Sequence, residues 1–60
     1  MRIKEMREQA NMTQIELAKA MGVTQATISY WENHKTLPNA IQVLKLSWVL
    51  HCEVIQLYES

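Results

Sequence analysis

This sequence of 60 residues has one glycine, one proline and one cysteine, and its formal net charge is zero. One glycine and one proline leave few turns beyond those that a compact helical bundle needs. Cys52 is the single cysteine, which excludes an internal disulfide and fits a reducing cytoplasm. No apolar run approaches the roughly 18 residues of a membrane span, and the N-terminus has no signal-peptide pattern.

The formal charge is zero, because six basic residues balance six acidic ones. This balance counts against nucleic-acid binding, since phosphate contacts drive affinity and most DNA-binding proteins are basic. Contact with DNA would then depend on an asymmetric placement of cations, and the candidates are Arg2, Lys4, Lys35 and Lys45. The N-termini of helices can also contact phosphates without any formal charge.

The length predicts one domain over residues 1–60. A chain of this size buries only about 60% of its unfolded surface, so we expect marginal stability and support from dimerisation. The hydrophobic fraction of 48% is typical of a globular protein and not of a disordered chain.

Apolar spacing predicts an all-α fold with five helices, because no segment alternates with a period of two. The first helix covers residues 2–10, with Ile3, Met6 and Ala10 on one face. A second begins at Thr13, where Thr13-x-x-Glu16 is a capping box. Its inward residues are Leu17, Ala18 and Met21, and Ile15 lies off that stripe.

A third helix follows Thr24, a plausible N-cap, and runs to about Asn33. Pro38 and Asn39 begin the fourth, where Asn39-x-x-Gln42 resembles a second capping box, and it ends near Leu50. The last helix covers Val54 to Tyr58. The residues expected to face inward on these two helices are Val43, Leu46, Ser47, Leu50, Val54, Leu57 and Tyr58.

Residues 14–33, QIELAKAMGVTQATISYWEN, have the pattern of a helix-turn-helix. Ala18 supplies the small side chain that two steeply crossing helices need, and Gly22 supplies a turn position that tolerates positive φ. Ile28 and Trp31 turn one apolar edge of the second helix inward. The other edge carries short or hydrogen-bonding side chains suited to base edges. These are Gln25, Ala26, Ser29 and Tyr30.

From Ile3 to about Tyr58 the chain resembles the Cro/cI-type, lambda-repressor-like helix-turn-helix domains of phage repressors and bacterial regulators. The stretches that carry the resemblance are Met6-Arg7, Met12-Thr13-Gln14-x-Glu16-Leu17-Ala18, Met21-Gly22-Val23, Ile28-Ser29-x-Trp31-Glu32-Asn33 and Pro38-Asn39. The resemblance implies a compact five-helix domain that regulates transcription by placing its third helix in a major groove, in the cytoplasm of a bacterium or a phage-infected cell. The DNA-binding residues expected from it are Gln14, Thr24, Gln25, Ala26, Ser29, Tyr30, Asn33 and Lys35.

Within this set, the family places Gln14 on a phosphate, and Gln25 can bond adenine through N6 and N7. The alternative is that Gln14 is a solvated glutamine in a first helical turn and Gln25 a surface glutamine. Ala26 either touches a thymine methyl group or is simply a good helix former. Tyr30 either reaches a phosphate or a thymine methyl group, or is a semi-exposed packing residue. The loop of Asn33 and Lys35 is expected to follow the phosphate backbone.

Two further expectations follow from the resemblance. Arg7 and Glu32 occupy positions that the family often joins as a partly buried ion pair between the first and third helices. His34 stands where the family usually has glycine. That position favours positive φ, which a non-glycine residue adopts at a cost of about 1 kcal/mol, so we expect a strained or reshaped loop.

The fourth helix carries a second apolar stripe, Ile41, Leu44 and Trp48, which Ile55 extends. Scattered surface hydrophobes are common, but three residues in register that include a tryptophan favour an interface. A two-fold homodimer contact that includes Leu44, Trp48 and Ile55 is its simplest use.

Two classes of function remain open. The first is a homodimeric, sequence-specific repressor or Cro-like regulator bound to operator DNA. The second is a protein-interaction module, of the antitoxin or anti-repressor type, that uses the apolar stripe. We reject an enzyme, because no nucleophile–base arrangement, carboxylate pair or phosphate-cradling loop is present. No cofactor is expected, and no metal, because His34, His51 and Cys52 lack ligand spacing. Cys52 is interpreted as a small core filler.

Overall fold

The computed structural model describes residues 1–58, which contain five α-helices joined by short turns and loops. In chain order they are α1 (Ile3–Gln9), α2 (Gln14–Met21), α3 (Gln25–Glu32), α4 (Ala40–Val49) and α5 (Val54–Leu57). The described residues contain no strand. The predicted all-α class is confirmed, and the helices end within about one residue of the predicted limits. None of them is both long and apolar enough to cross a bilayer.

Reciprocal capping fixes the first residues of α2 and α4. Thr13 Oγ1 accepts from the Glu16 backbone N–H at 3.0 Å, and Glu16 Oε1 accepts from the Thr13 N–H at 2.8 Å. Asn39 Oδ1 and Gln42 Oε1 repeat this exchange at 2.8 and 2.9 Å. Both predicted capping boxes are confirmed, and each satisfies N–H groups that a helix start otherwise leaves unpaired.

Left-handed residues follow four of the helices. Gly22 has φ of 72°, as the turn after α2 requires. His34, after α3, has φ of 60°, so the expected positive φ at this non-glycine position is confirmed. Asn11 and His51 adopt the same region after α1 and α4, with φ of 58° and 54°. Asparagine tolerates this conformation, whereas each histidine adopts it at a cost of about 1 kcal/mol.

The core takes one fully buried aliphatic side chain from every helix. These are Ile3, Leu17, Ile28, Leu46 and Leu57. Trp31 is 3% exposed and adds an aromatic side chain from α3. The backbone N–H of Arg2 donates to the carbonyl oxygen of Leu57 at 2.7 Å, which joins the start of α1 to the end of α5.

Three of the residues predicted to face inward on α4 and α5 are not fully buried. Tyr58 was expected to face the core, but it is 50% exposed. The reason is local: α5 ends at Leu57, and Tyr58 has extended φ and ψ of −92° and 143°, so helical spacing no longer places it. Ser47 and Val54 are half-buried: Val54 packs against the core, and the Ser47 hydroxyl donates to the carbonyl oxygen of Leu44 at 2.7 Å within α4.

Candidate nucleic-acid interface

The α2–α3 unit presents one edge of α3 to solvent because its other edge is held in the core. Ala18 is buried at the packing surface of α2, and the Val23 N–H donates to the Ala18 carbonyl oxygen at 3.0 Å to close the turn. Ile28 and Trp31 are buried, as the sequence predicted. Anchoring at these two positions fixes the rotation of α3 about its own axis.

The outward edge of α3 is polar without being charged. Gln25 and Ala26 are exposed, Ser29 is half-buried and Tyr30 is 49% exposed. Thr24, at the N-cap, accepts from the Thr27 backbone N–H at 3.2 Å, and the two threonine hydroxyls lie 2.9 Å apart. This edge therefore offers amide, hydroxyl and methyl groups, which are the groups that contact base edges in a major groove.

An ion pair joins α1 to the last residue of α3. Arg7 Nε lies 2.6 Å from Glu32 Oε2, and Arg7 Nη2 donates to Glu32 Oε1 at 3.3 Å. The two side chains are only 11% and 3% exposed. Arg7 Nη1 also donates to the Met12 carbonyl oxygen at 2.8 Å. The hydrogen bond to Glu32 raises the pKa of the Arg7 guanidinium above its ordinary value.

The ion pair continues into α2 and then to the start of α3. Gln14 Nε2 donates to Glu32 Oε1 at 3.0 Å, and Gln25 Nε2 donates to Gln14 Oε1 at 3.3 Å. The sequence analysis treated Gln14 and the Arg7–Glu32 pair separately and missed this connection. No short-range pattern reveals it, because Gln14 and Glu32 stand 18 positions apart.

The loop after α3 contains two of the candidate phosphate contacts. The Asn33 side-chain amide donates to the carbonyl oxygen and the hydroxyl of Ser29, at 2.9 and 3.2 Å. Asn33 would have to release one of these bonds to donate to a phosphate. Lys35 is exposed, and its backbone N–H donates to the Tyr30 carbonyl oxygen at 2.9 Å, which holds the loop against the end of α3.

Charge at this surface is sparse. Between Gln25 and Leu37 the sequence has two formally charged side chains, Glu32 and Lys35. Arg7 compensates Glu32 through the ion pair. Lys35 therefore supplies a net positive charge to this segment, although the chain as a whole is neutral.

A second surface, which we call the α4–α5 face, is apolar and exposed. The name covers the exposed side chains of α4 that share one side by helical spacing, Ile41, Leu44 and Trp48, together with exposed Ile55 of α5, and Trp48 is 78% exposed. Leu37, in the loop before α4, is also exposed and was not singled out from the sequence. The described residues thus leave the predicted dimer residues Leu44, Trp48 and Ile55 accessible.

Cys52 is half-buried and packs against the core. Burial raises the pKa of its thiol, which keeps the thiol protonated and poorly nucleophilic near neutral pH. Within residues 1–58 no group of histidine, cysteine and acidic side chains is placed to hold a metal ion.

Comparison with known proteins gives consistent matches. The model of a helix-turn-helix family matches residues 3–57. Repressor protein C2 of Salmonella phage P22 is 39% identical over 51 residues, which are 85% of this chain and 24% of that repressor. An uncharacterised HTH-type transcriptional regulator of Archaeoglobus fulgidus is 39% identical over 57 residues, 95% of this chain and 80% of the relative. The chain therefore spans about a quarter of the phage repressor and most of the archaeal regulator.

Proposed function

The chain belongs to the Cro/cI-type helix-turn-helix family of non-enzymatic, DNA-binding transcriptional regulators, and on that premise we propose that it is a repressor or Cro-like protein that binds operator DNA as a homodimer. In this proposal α3 enters the major groove and the protein represses by occupying promoter DNA. The observation that carries the proposal is the exposed, uncharged edge of α3, which Ile28 and Trp31 hold outward.

Base reading is assigned to four residues on this edge. Gln25 bonds adenine through N6 and N7, and Ala26 packs on a thymine methyl group. Ser29 is small enough to bond either base of a pair, and the Tyr30 ring contacts a thymine methyl group or a phosphate. The exposure of Gln25, Ala26 and Tyr30 supports these roles.

Phosphate contacts are assigned to Gln14, Thr24, Asn33 and Lys35. Gln14 has two amide hydrogens, and Glu32 takes one, so the other is available to a phosphate oxygen. The first backbone N–H groups of α2 and α3 point out of the helix ends and favour anions. Lys35 is the stronger loop candidate, because the Asn33 amide is engaged with Ser29.

Dimerisation is assigned to the α4–α5 face. Burial of a large apolar side chain stabilises by roughly 1.5–3 kcal/mol, and this face exposes several of them. A two-fold dimer would place two copies of α3 about 34 Å apart, one in each half-site of an operator. The alternative, a different protein bound to this face, leaves α3 without that symmetric partner.

Selection from a random duplex library tests the proposal. We expect the protein to enrich a two-fold symmetric sequence. Gln25→Ala should weaken binding to that sequence by about 1–3 kcal/mol and leave the circular-dichroism spectrum unchanged, because it removes a bidentate base contact from an exposed position. Unchanged affinity would exclude Gln25 as a base reader.

Salt dependence separates the two classes of function. Lys35 is the one charged residue among the assigned phosphate contacts, so a dimer neutralises about two phosphates and the slope of log affinity against log salt should be about −2. A basic repressor that makes more phosphate contacts would show a steeper slope. A slope near zero, or no enriched sequence, would contradict operator binding and favour the protein-interaction module.

A further inference from the structure

We propose that a cleft between the end of α1 and the turn from α4 to α5 receives the Trp48 side chain of a second copy of this chain. The inference rests on the proposed function, because it names the surface that the partner copy of the proposed homodimer occupies. It adds to the α4–α5 face a site on α1 to which no role has been assigned.

The α4–α5 face is too small to hold a dimer by itself. It has four side chains, whereas a stable interface takes about 20–30 residues and about 800 Å² of surface from each partner. The contact must therefore extend over neighbouring surface. Trp48 indicates where, because it is 78% exposed and lies in the last turn of α4, beside the turn that leads to α5.

A cleft of about 350 Å³ adjoins this turn. Its floor is formed by two buried and two half-buried side chains, which are Met6, Leu50, Ala10 and Cys52. Exposed polar side chains stand at its rim, and they are Gln9, His51 and Gln56. We call these seven residues the α1–α5 cleft. A more open groove continues from it, past His51 and Cys52, to Trp48, so the cleft and Trp48 belong to one continuous surface.

The lining of the cleft suits an indole ring. Met6 and Cys52 bear sulfur, which makes favourable contacts with aromatic rings. The buried indole of a tryptophan usually finds an acceptor for its N–H. The Gln9 side chain makes no hydrogen bond within residues 1–58, so its amide oxygen is available to that N–H. Gln56 Oε1, by contrast, already accepts from the Glu53 backbone N–H at 2.8 Å.

The size of the cleft also fits. Pockets that hold drug-sized ligands have volumes of about 300–1,000 Å³, and an indole is smaller than such a ligand. Trp48 does not fill the cleft of its own chain, because 78% of the residue is exposed. The cleft is therefore open to the same side chain from another copy.

A two-fold axis makes the contact reciprocal. Every copy carries both Trp48 and the cleft, so the operation that places one Trp48 in the second copy also places the other Trp48 in the first. Because Trp48 and the cleft border the same groove, one interface can contain both insertions. Each insertion also brings α1 of one chain against α4 of the other, which enlarges the contact beyond the α4–α5 face.

Cys52 provides a natural probe of this contact, since its half-buried thiol lies in the cleft. The reaction is alkylation by N-ethylmaleimide, followed by mass spectrometry, and sedimentation equilibrium gives the association state of the same samples. Where about 90% of the chains are dimeric, we expect alkylation to be about tenfold slower than in the dilute monomer, because only the remaining monomers react.

Two variants control the alkylation. Trp48→Glu removes the side chain that enters the cleft, so it should react at the monomer rate at every concentration. Ile15→Glu places the same charge on an exposed aliphatic residue of α2, outside the cleft and the α4–α5 face, and should keep the protection of the wild type.

A photochemical cross-link identifies the side chain that occupies the cleft. p-Benzoylphenylalanine is introduced in place of Gln9, at the rim, in a mixture of isotope-labelled and unlabelled chains. We expect it to capture Trp48 of the other copy. The same group in place of Lys4, which is exposed on α1 outside the cleft, should not capture Trp48.

The outcomes distinguish the cleft from the function on which it rests. Monomers at every concentration would contradict the proposed homodimer, and the cleft contact with it. Dimers whose thiol reacts at the monomer rate, or cross-links that avoid Trp48, would overturn the cleft contact while the homodimer stands. Protection that persists in Trp48→Glu would also overturn it, because another group would then cover the thiol.

Discussion

The outer edge of α3 and the α4–α5 face differ in how their side chains are held. On α3 the polar groups bond to one another: Gln25 reaches Gln14, and Gln14 reaches Glu32. On the α4–α5 face Trp48 and its neighbours project from α4 and α5 with most of their surface exposed. The first surface is organised within one chain, whereas the second gains its stabilisation only when something covers it.

Under the proposal, the outer edge of α3 reads DNA and the α4–α5 face joins two copies of the chain. The Arg7–Glu32 pair and the buried Ile28 and Trp31 fix the position of α3 in a single chain. A single domain of this size has little stability to spare, and under the proposal a second copy of the chain covers the α4–α5 face. We therefore expect a substitution in the ion pair behind α3 to lower stability, and a substitution on the α4–α5 face to break association while the chain stays folded.

Breaking the ion pair should have the largest effect. Arg7→Ala leaves Glu32 buried and without its cation, which should lower the free energy of unfolding by about 3 kcal/mol. DNA affinity should fall as well, because α3 loses its attachment to α1. Urea denaturation measures the change, and Lys4→Ala, at an exposed position of the same helix, is the control. A midpoint equal to that of the wild type would show that the pair contributes nothing to stability.

Charging the α4–α5 face should leave the fold intact and break assembly. Trp48→Glu should give folded monomers whose operator affinity is about a hundredfold lower, because the two half-site contacts are no longer linked. Sedimentation equilibrium measures the association state. Ile15→Glu is the control, since Ile15 is an exposed aliphatic residue of α2 outside this face. Dimers in both variants would place the interface elsewhere.

The smallest effect concerns the left-handed residues that follow α3 and α4. His34→Gly and His51→Gly should each raise stability, by at most about 1 kcal/mol, because glycine removes the Cβ strain at positive φ but loses more chain entropy on folding. Thr36→Gly, at a loop position without positive φ, should lower stability instead. Thermal melts of the three variants give the comparison, and destabilisation by both His→Gly changes would show that the histidine side chains themselves hold the turns.

Local signals in the sequence predicted the fold well. Each capping box joins residues three positions apart, so the sequence predicts it without knowledge of the tertiary structure; the two boxes are Thr13 with Glu16 and Asn39 with Gln42. Gly22 likewise predicted the turn after α2 from its residue type alone. The period of the apolar residues placed four residues in the core, where the structure has them: Ile28, Trp31, Val43 and Leu46. Tyr58 was misplaced because it follows the last helical residue, where the period no longer applies.

The site was less predictable, since its organisation is tertiary. The family resemblance pointed to the Arg7–Glu32 ion pair and, separately, to Gln14 and Gln25. Only the crossing of α1, α2 and α3 brings all four into one hydrogen-bonded series. Likewise, the occupation of the Asn33 amide by Ser29 depends on the shape of the turn after α3.

The central claim, that two copies joined at the α4–α5 face read two half-sites, is tested most directly by the stoichiometry on DNA. The selected duplex, with half-site centres about 34 Å apart, should bind two chains cooperatively in sedimentation equilibrium, and insertion of about five base pairs between the half-sites should abolish the cooperativity by placing them on opposite sides of the helix. One chain bound per duplex, with the same affinity before and after the insertion, would contradict the account.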